Sequence, residues 1–365
     1  MKIDSFDVRI VHPEGLSFQI GTHLHVDQMM VLFRVRTDDG AEGMAGTTTY
    51  GPGRSVAHGL ADIVGPSLLG RDPFERETQW QEWFRLSKLY LPPQASAVAD
   101  CALWDLAGRV LQMPVYRLLG AARTSLPAYA STLTYPDIPR FLEAVEEFLA
   151  AGFRAIKLHV FGVPQRDIDL CRQVREVAGD DVALMIDAAG HYDLTDALRV
   201  GRALEEFGYE WLEMPIEDPF VEGYAALAQD LDIPVTTGEV NVTTFQDAGS
   251  ALARGAWDIV RIDAGNSGGI TGAMKTAHLA EAFARRCELH SWGFVVNQLA
   301  NLHPMCAITN SRYFEMPAPI GIFDFGLEGL PLDPDGTVTV PDRPGLGQVF
   351  DEDAITSATV ATLPT

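Results

Sequence analysis

With 365 residues, 47% of them hydrophobic and 21% charged, the chain can bury a barrel of roughly 200–250 residues plus a smaller unit, and it is too apolar to be disordered. Its formal charge of −23 argues against nucleic acid or an anionic membrane as partner, because phosphate binding needs clustered Lys and Arg. Any anionic substrate must therefore be drawn in by a local cation. The opening MKIDSFDVRI lacks the apolar core of a signal peptide and no apolar run is long enough to span a bilayer, which sets the expectation of a cytoplasmic protein. The four cysteines, Cys101, Cys171, Cys287 and Cys306, lie far apart without a CxxC pair and read as buried reduced thiols rather than a disulfide frame or zinc site.

The chain divides near residue 125. Residues 1–125 begin with SFDVRIVHP and HVDQMMVLFRVRTDDGAEGMAG, which alternate apolar and polar positions around TDDG as an antiparallel meander does. Helical periodicity follows over 55–70, 73–90 and 94–112, completing a small α+β domain. Two of its loops, Gly15–Thr22 and Thr47–Arg54, are rich in Gly, Thr and Ser and suit either the cover of a site or plain surface turns. His23 and His25, which alternate on a strand, read as structural. Trp104 and Asp105 in ALWDLAG read as packing residues, the carboxylate serving a structural hydrogen bond.

From residue 126 to about 330, strand and helix alternate. The expected strands are 126–131, 154–160, 182–188, 209–214, 233–238, 257–263, 287–291 and 312–316, with amphipathic helices such as FLEAVEEFLAAG between them. Gly152, Gly208 and Gly255 stand where helices should end. Residues 331–365, punctuated by Pro and Gly with a hairpin signal at DPDGT, are expected to pack back on the first domain.

Seven residues that can do chemistry recur along the barrel segment: Lys157, Asp187, Glu213, Glu239, Asp263, His290 and Glu315. Their successive gaps are 30, 26, 26, 24, 27 and 25, and each closes or nearly closes an apolar run. Polar side chains at the C-terminal ends of strands, each followed by a helix, are the pattern of a (β/α)₈ barrel active site. Asp187, Glu213 and Glu239 on consecutive strands offer an all-oxygen donor set suited to a hard cation such as Mg²⁺. The alternative, separate carboxylates serving caps and salt bridges, suits any one of them alone but not three in register. Lys157 and His159 in RAIKLHV alternate, so both point into the same cavity. Asp263 and His290 lie on adjacent strands, where the carboxylate can orient the imidazole as a general base. Glu217–Asp218 reads as an acidic pair at the positive end of the next helix.

These residues and their order resemble the enolase superfamily, specifically its mandelate racemase subgroup. ALWDLAGRVLQMPVYRLLG, IKLH, MIDA, WLEMP, TTGE, RIDAGNSGGIT and LHSWG follow in family order over almost the whole chain. The resemblance implies a modified (β/α)₇β TIM barrel with an N-terminal α+β capping domain completed by the C-terminal segment. It implies one Mg²⁺ per subunit on Asp187, Glu213 and Glu239, Lys157 at the substrate carboxylate, an Asp263–His290 dyad, and Glu315 hydrogen-bonded to a developing enediolate. It also implies a homo-oligomer acting on a small-molecule carboxylate.

Two positions depart from the family pattern. His159 stands where the family has the second Lys of a Lys-x-Lys pair, and an imidazole can act as acid or base near neutrality. That favours dehydration of a sugar acid to a 2-keto-3-deoxy acid over simple racemisation. A racemase, epimerase or lactone cycloisomerase using the same enediolate is the alternative, and a binding protein on a retired barrel would need a missing metal or dyad residue. In DAAGHYD, Ala189 replaces a frequent Asn, while His191 reads as a solvated loop residue ahead of a sugar contact.

Overall fold

A computed structural model describes the backbone of residues 1–20, 24–239 and 244–364, and the side chains of 1–18, 27–239 and 244–364. The alternating N-terminal segments form strands β1 (Ile3–Val11), β2 (Ser17–Ile20), β3 (Leu24–Thr37) and β4 (Glu42–Tyr50), all antiparallel. Gly40 at φ 86° turns the β3–β4 hairpin in the TDDG segment. Helices α1 (Arg54–Gly59) and α2 (Gly65–Leu68), joined by a π turn over Leu60–Val64, then α3 (Arg76–Ser87) and α4 (Pro93–Val110), occupy the three expected helical stretches. α4 lies so close to β4 that a β-carbon on Gly43 would collide with Ala102 and Leu106. A further short helix, α5 (Val115–Leu119), had no sequence signal because five residues carry too little periodicity.

The second sheet is entirely parallel over its eight main strands. In chain order they are β5 (Ser125–Ser131), β6 (Ala155–His159), β7 (Ala183–Asp187), β8 (Trp211–Glu213), β9 (Val235–Thr236), β10 (Ile259–Ile262), β11 (Arg286–Leu289) and β12 (Phe314–Pro317). Seven helices connect them: α6 (Ile138–Ala150), α7 (Pro164–Ala178), α8 (Leu194–Glu206), α9 (Val221–Asp230), α10 (Phe245–Ala253), α11 (Gly269–Ala282) and α12 (Val295–Ala307). β12 pairs with β5, so the sheet rolls into a (β/α)₇β barrel. The ladder is open only between β11 and β12, where Ser291 Oγ donates to the Glu315 carbonyl at 2.7 Å. Gly152, Gly208 and Gly255 all have positive φ just past α6, α8 and α10.

Several strands are shorter than their apolar runs, for identifiable reasons. β8 stops at Glu213 because Met214 takes φ 41° and bends the chain away. β9 keeps two residues of the expected 233–238: Pro234 has no N–H for the ladder, and the Gly238 N–H donates instead to Asp218, which the Thr237 hydroxyl also reaches.

Each barrel helix buries one face; α6 turns Phe141, Ala144, Val145 and Phe148 inward. Tyr129, Ala155, Met185, Trp211 and Ile259 fill the N-terminal end of the barrel. That plug leaves the C-terminal end for polar groups. Beyond Leu330, β13 (Thr337–Thr339) pairs antiparallel with β5, and after α13 (Glu352–Ala358) the strand β14 (Thr359–Leu363) joins β1. Asp105 ties these parts together, accepting from Met44 N (2.9 Å), Leu346 N (2.7 Å) and Arg109 Nε (2.7 Å). Trp104 Nε1 donates to Thr271 Oγ1 at 3.0 Å, joining α4 to α11. All four cysteines are buried and free.

Candidate active site

Parallel register sets the first row of site residues. His159, Asp187, Glu213 and Thr236 pair side by side across β6 to β9 at the strands' C-terminal ends. Lys157, one pleat deeper on the same face as His159, is fully buried among acids. Its Nζ lies 2.7 Å from Glu315 Oε1, 3.0 Å from Glu213 Oε1 and 3.9 Å from Asp187 Oδ2.

Opposite stands a second buried cation that sequence reading had passed over. Arg261 Nη2 donates to Glu315 Oε2 at 2.8 Å, Nη1 donates to Tyr129 Oη at 3.2 Å, and Nε approaches Glu213 Oε1 at 2.9 Å. The signal was available: Arg261 precedes Asp263 by two residues in VRID and so shares its face. Glu315 also accepts from Ser131 Oγ (2.8 Å) and Ser291 N (3.1 Å). Burial works against its charge, but Lys157 and Arg261 outweigh burial and hold this carboxyl well below the usual range. An ionised carboxylate with four donors has no proton to give. In this arrangement it fixes Lys157 and Arg261 at the barrel end where an enediolate contact was expected of it.

Asp263 and His290 meet as expected. Nδ1 of the imidazole lies 2.8 Å from Asp263 Oδ2, and the same carboxylate accepts from Gly265 N (2.6 Å) and from the side-chain amides of Asn266 (2.9 Å), Asn297 (3.1 Å) and Asn301 (2.8 Å). So many donors keep Asp263 an acceptor, which places the imidazole proton on Nδ1 and presents Nε2 to the cavity. Asn297 and Asn301 are spaced i,i+4 on α12, one helical face, a pattern that looks like any buried helix in sequence. Nε2 of His290 lies 3.4 Å from Glu239 Oε1. Burial lowers the affinity of this imidazole for a proton, but Glu239, Glu315 and Asp263 together raise its pKa to about 9.

Of the expected metal ligands, Asp187 and Glu213 flank Lys157 and Glu239 lies beside His290, and among the described residues no three acids, imidazoles or thiols are gathered tightly enough to clasp one ion as they stand. The charge balance is nonetheless uneven. Five carboxylates (Asp187, Glu213, Glu239, Asp263 and Glu315) share the barrel end with two permanent cations. Burial, helped by Asp187 and Glu315, pushes Glu213 up to about 7 despite Arg261 and Lys157. Asp187 is instead lowered, because His159 and Lys157 outweigh its burial.

His159 points its Nδ1 at the Thr132 carbonyl, leaving Nε2 3.5 Å from Asp187 Oδ2, and its ring meets Trp292 edge-on with centroids 5.3 Å apart. His191 turns back to the Ala188 carbonyl at 2.8 Å and is exposed. His23 lies outside the described residues, as does the side chain of His25. Asp218 corrects a helix-cap expectation: it is buried and holds the segment after β9, while α9 has no side-chain cap.

A cavity of about 400 Å³ opens beside Glu239, lined by Thr48, Tyr50, Arg54, Gln94 and Asn266. The segment expected as a loop over Thr47–Arg54, in fact the end of β4 and its turn into α1, thus borders the site. A comparable cavity of about 420 Å³ sits at the opposite end of the barrel, around Arg154 and Tyr313, and none of the seven recurring site residues lines it.

The barrel segment matches the family model for the enolase C-terminal domain-like fold over residues 140–354, and residues 5–120 match that for the mandelate racemase/muconate lactonizing enzyme N-terminal domain. The chain belongs to the enolase superfamily. Within the superfamily, it is 30% identical over 332 residues to an arabinonate dehydratase of Saccharolobus solfataricus, covering 87% of each chain. A D-galactarolactone cycloisomerase of Agrobacterium fabrum is 33% identical over 345 residues, with 89% of this chain and 90% of that one covered. The crystal structure of D-glucarate dehydratase from Agrobacterium tumefaciens complexed with magnesium superposes with a TM-score of 0.87 at 35% identity, covering 99% of this chain and 100% of the other. These relatives are enolase-superfamily enzymes, dehydratases and a cycloisomerase. No helix among the described residues is long and apolar enough to cross a membrane.

Proposed function

We propose that the protein is a Mg²⁺-dependent dehydratase of a sugar acid, forming a 2-keto-3-deoxy acid. The observation that carries this reading is the Asp263–His290 pair, with Nε2 turned into the cavity 3.4 Å from Glu239 Oε1, at the mouth of a barrel whose buried carboxylates outnumber its cations. The donor chemistry fits a hard dication: the surplus is all oxygen, and the pressure that drives Glu213 to about 7 is what added positive charge would relieve. Asp187, Glu213 and Glu239 are the residues that would hold it, one ion per subunit. When bound, Mg²⁺ supplies Lewis-acid stabilisation of negative charge on the substrate carboxylate.

This chain's own residues do the rest. Lys157 holds the substrate carboxylate by charge. His290 in its neutral form, which gains ground as pH rises towards its raised pKa of about 9, takes the C2 proton on Nε2, and Asp263 stabilises the imidazolium that forms. Electron density from the broken C2–H bond moves into the enediolate and expels the 3-hydroxyl, which leaves as water with a proton from His290 or His159. The resulting enol tautomerises to the keto acid. Glu315 keeps Lys157 and Arg261 in place throughout.

The test is a screen of mono- and diacid sugars with Mg²⁺, read by keto-acid formation. Proton exchange at C2 without keto acid would instead establish the racemase, epimerase or cycloisomerase reading, which the cycloisomerase relative keeps in view. Titration of Glu239→Gln with Mg²⁺ tests the ligand set, since unchanged affinity removes Glu239 from it. Cytoplasmic location and a symmetric oligomer belong to the same proposal.

A further inference from the structure

Asp218 is an acid with no place in the proposed chemistry, yet its surroundings are unusually specific. It sits in the β8–α9 connection, five residues after Glu213, and is 4% exposed. Its Oδ1 accepts three hydrogen bonds, each 2.9 Å long, from Tyr224 Oη, Thr237 Oγ1 and Gly238 N. Its Oδ2 is buried without a partner among the described residues. Tyr224 Oη also lies 2.8 Å from the Ile216 carbonyl, so its one hydrogen is shared between the two acceptors and ties the connection to α9. Gly238 has no room for a side chain: a β-carbon there would lie 2.7 Å from Met214 Sδ and 3.0 Å from Asp218 Oδ2.

Burying a carboxylate with one oxygen unpartnered costs stability. That cost brings a specific geometric return. The two donors from the β9 side are the Thr237 hydroxyl and the Gly238 N–H, on the residues immediately before Glu239 and just past the end of β9. The acid therefore clamps the end of β9 to the connection that leaves Glu213.

We infer that Asp218 is a positioning residue that sets Glu239 against the rest of the site by holding Thr237 and Gly238. The inference rests on the reading of Glu239 as a metal ligand. Outer partners of metal ligands typically govern about 10–100-fold of metal affinity. Asp218→Ala should then weaken Mn²⁺ binding, measured by electron paramagnetic resonance on the folded full-length protein, by about tenfold or more. Asp218→Asn keeps an acceptor oxygen and should recover most of that loss.

The decisive measurement is the double variant. If Asp218 acts through Glu239, Asp218→Ala adds little to the loss already caused by Glu239→Gln, in Mn²⁺ affinity and in kcat/KM alike. Independent, multiplying losses would overturn the inference, as would wild-type Mn²⁺ affinity in folded Asp218→Ala. Unchanged Mn²⁺ binding in Glu239→Gln alone would instead sink the ligand assignment, and the clamp would then be judged by the same non-additivity in kcat/KM. Should Asp218→Ala fail to fold, Thr237→Val removes one of the three donors and should shift Mn²⁺ affinity in the same direction by a few-fold; no shift would overturn the inference.

Discussion

Arg261 and Glu315 form an ion pair 2.8 Å long in which neither side chain is exposed, and the same guanidinium reaches Glu213 and Tyr129. It is the floor on which the acidic end of the barrel rests. Removing one partner of a buried pair leaves the other charge uncompensated, at a cost of about 3–5 kcal/mol. Arg261→Met should lose stability on that scale in urea unfolding. Arg261→Lys should recover little of it, because an ammonium cannot bridge Glu213, Glu315 and Tyr129 with one planar fork. A loss below about 1 kcal/mol in Arg261→Met would show that the pair is not structural.

The tautomer of His290 depends on Asp263 accepting from Nδ1. An amide at that position can donate to Nδ1 and turn the ring's lone pair away from the cavity. Asp263→Asn should therefore lower kcat by about 100-fold or more while circular dichroism stays native. Near-normal kcat would mean that His290 is not oriented through this contact.

His303 offers a pH-dependent signature away from the site. Its Nδ1 accepts from Tyr116 N at 3.0 Å, its Nε2 has no partner among the described residues, and burial pulls its pKa down to about 4. An unfolded histidine titrates near 6.5, so between about 6.5 and about 4 the unfolded chain binds a proton that the folded one refuses. This group costs nothing above that window and destabilises the fold progressively as pH falls through it, by at most about 3 kcal/mol. Urea unfolding of wild type and His303→Gln at about pH 7 and about pH 4.5 should show a smaller acid-induced loss in the variant. Parallel losses would place the acid sensitivity elsewhere.

How much of this was legible in the sequence follows from what each residue competes with. Lys157, Asp187, Glu213 and Glu315 stand out because a charged residue at the end of an apolar run has no packing explanation, and the roughly 25-residue βα period repeats the signal. Glu239, Asp263 and His290 lie one to three residues past the ladders, where chain reversal begins, so their strands seemed longer than they are. Arg261 was hidden because an arginine inside a strand ordinarily points to solvent, and only the barrel's closure makes that face interior. Asn297 and Asn301 look like ordinary residues of a buried helix until Asp263 is placed beneath them. Asp218 was misread because an acid before a helix usually serves the helix N-terminus; burial against β9 overrode that local preference.

The central claim is that His290 removes the proton next to a substrate carboxylate and that a hydroxyl then leaves. It is tested most directly by proton NMR of the wild type and His290→Asn with Mg²⁺ and a sugar acid turned over by the wild type, in D₂O. The wild type should produce a 2-keto-3-deoxy acid carrying deuterium at C3. His290→Asn, folded and still binding Mg²⁺, should form no keto acid and exchange no C2 proton. Keto-acid formation by His290→Asn at the wild-type rate would contradict the account.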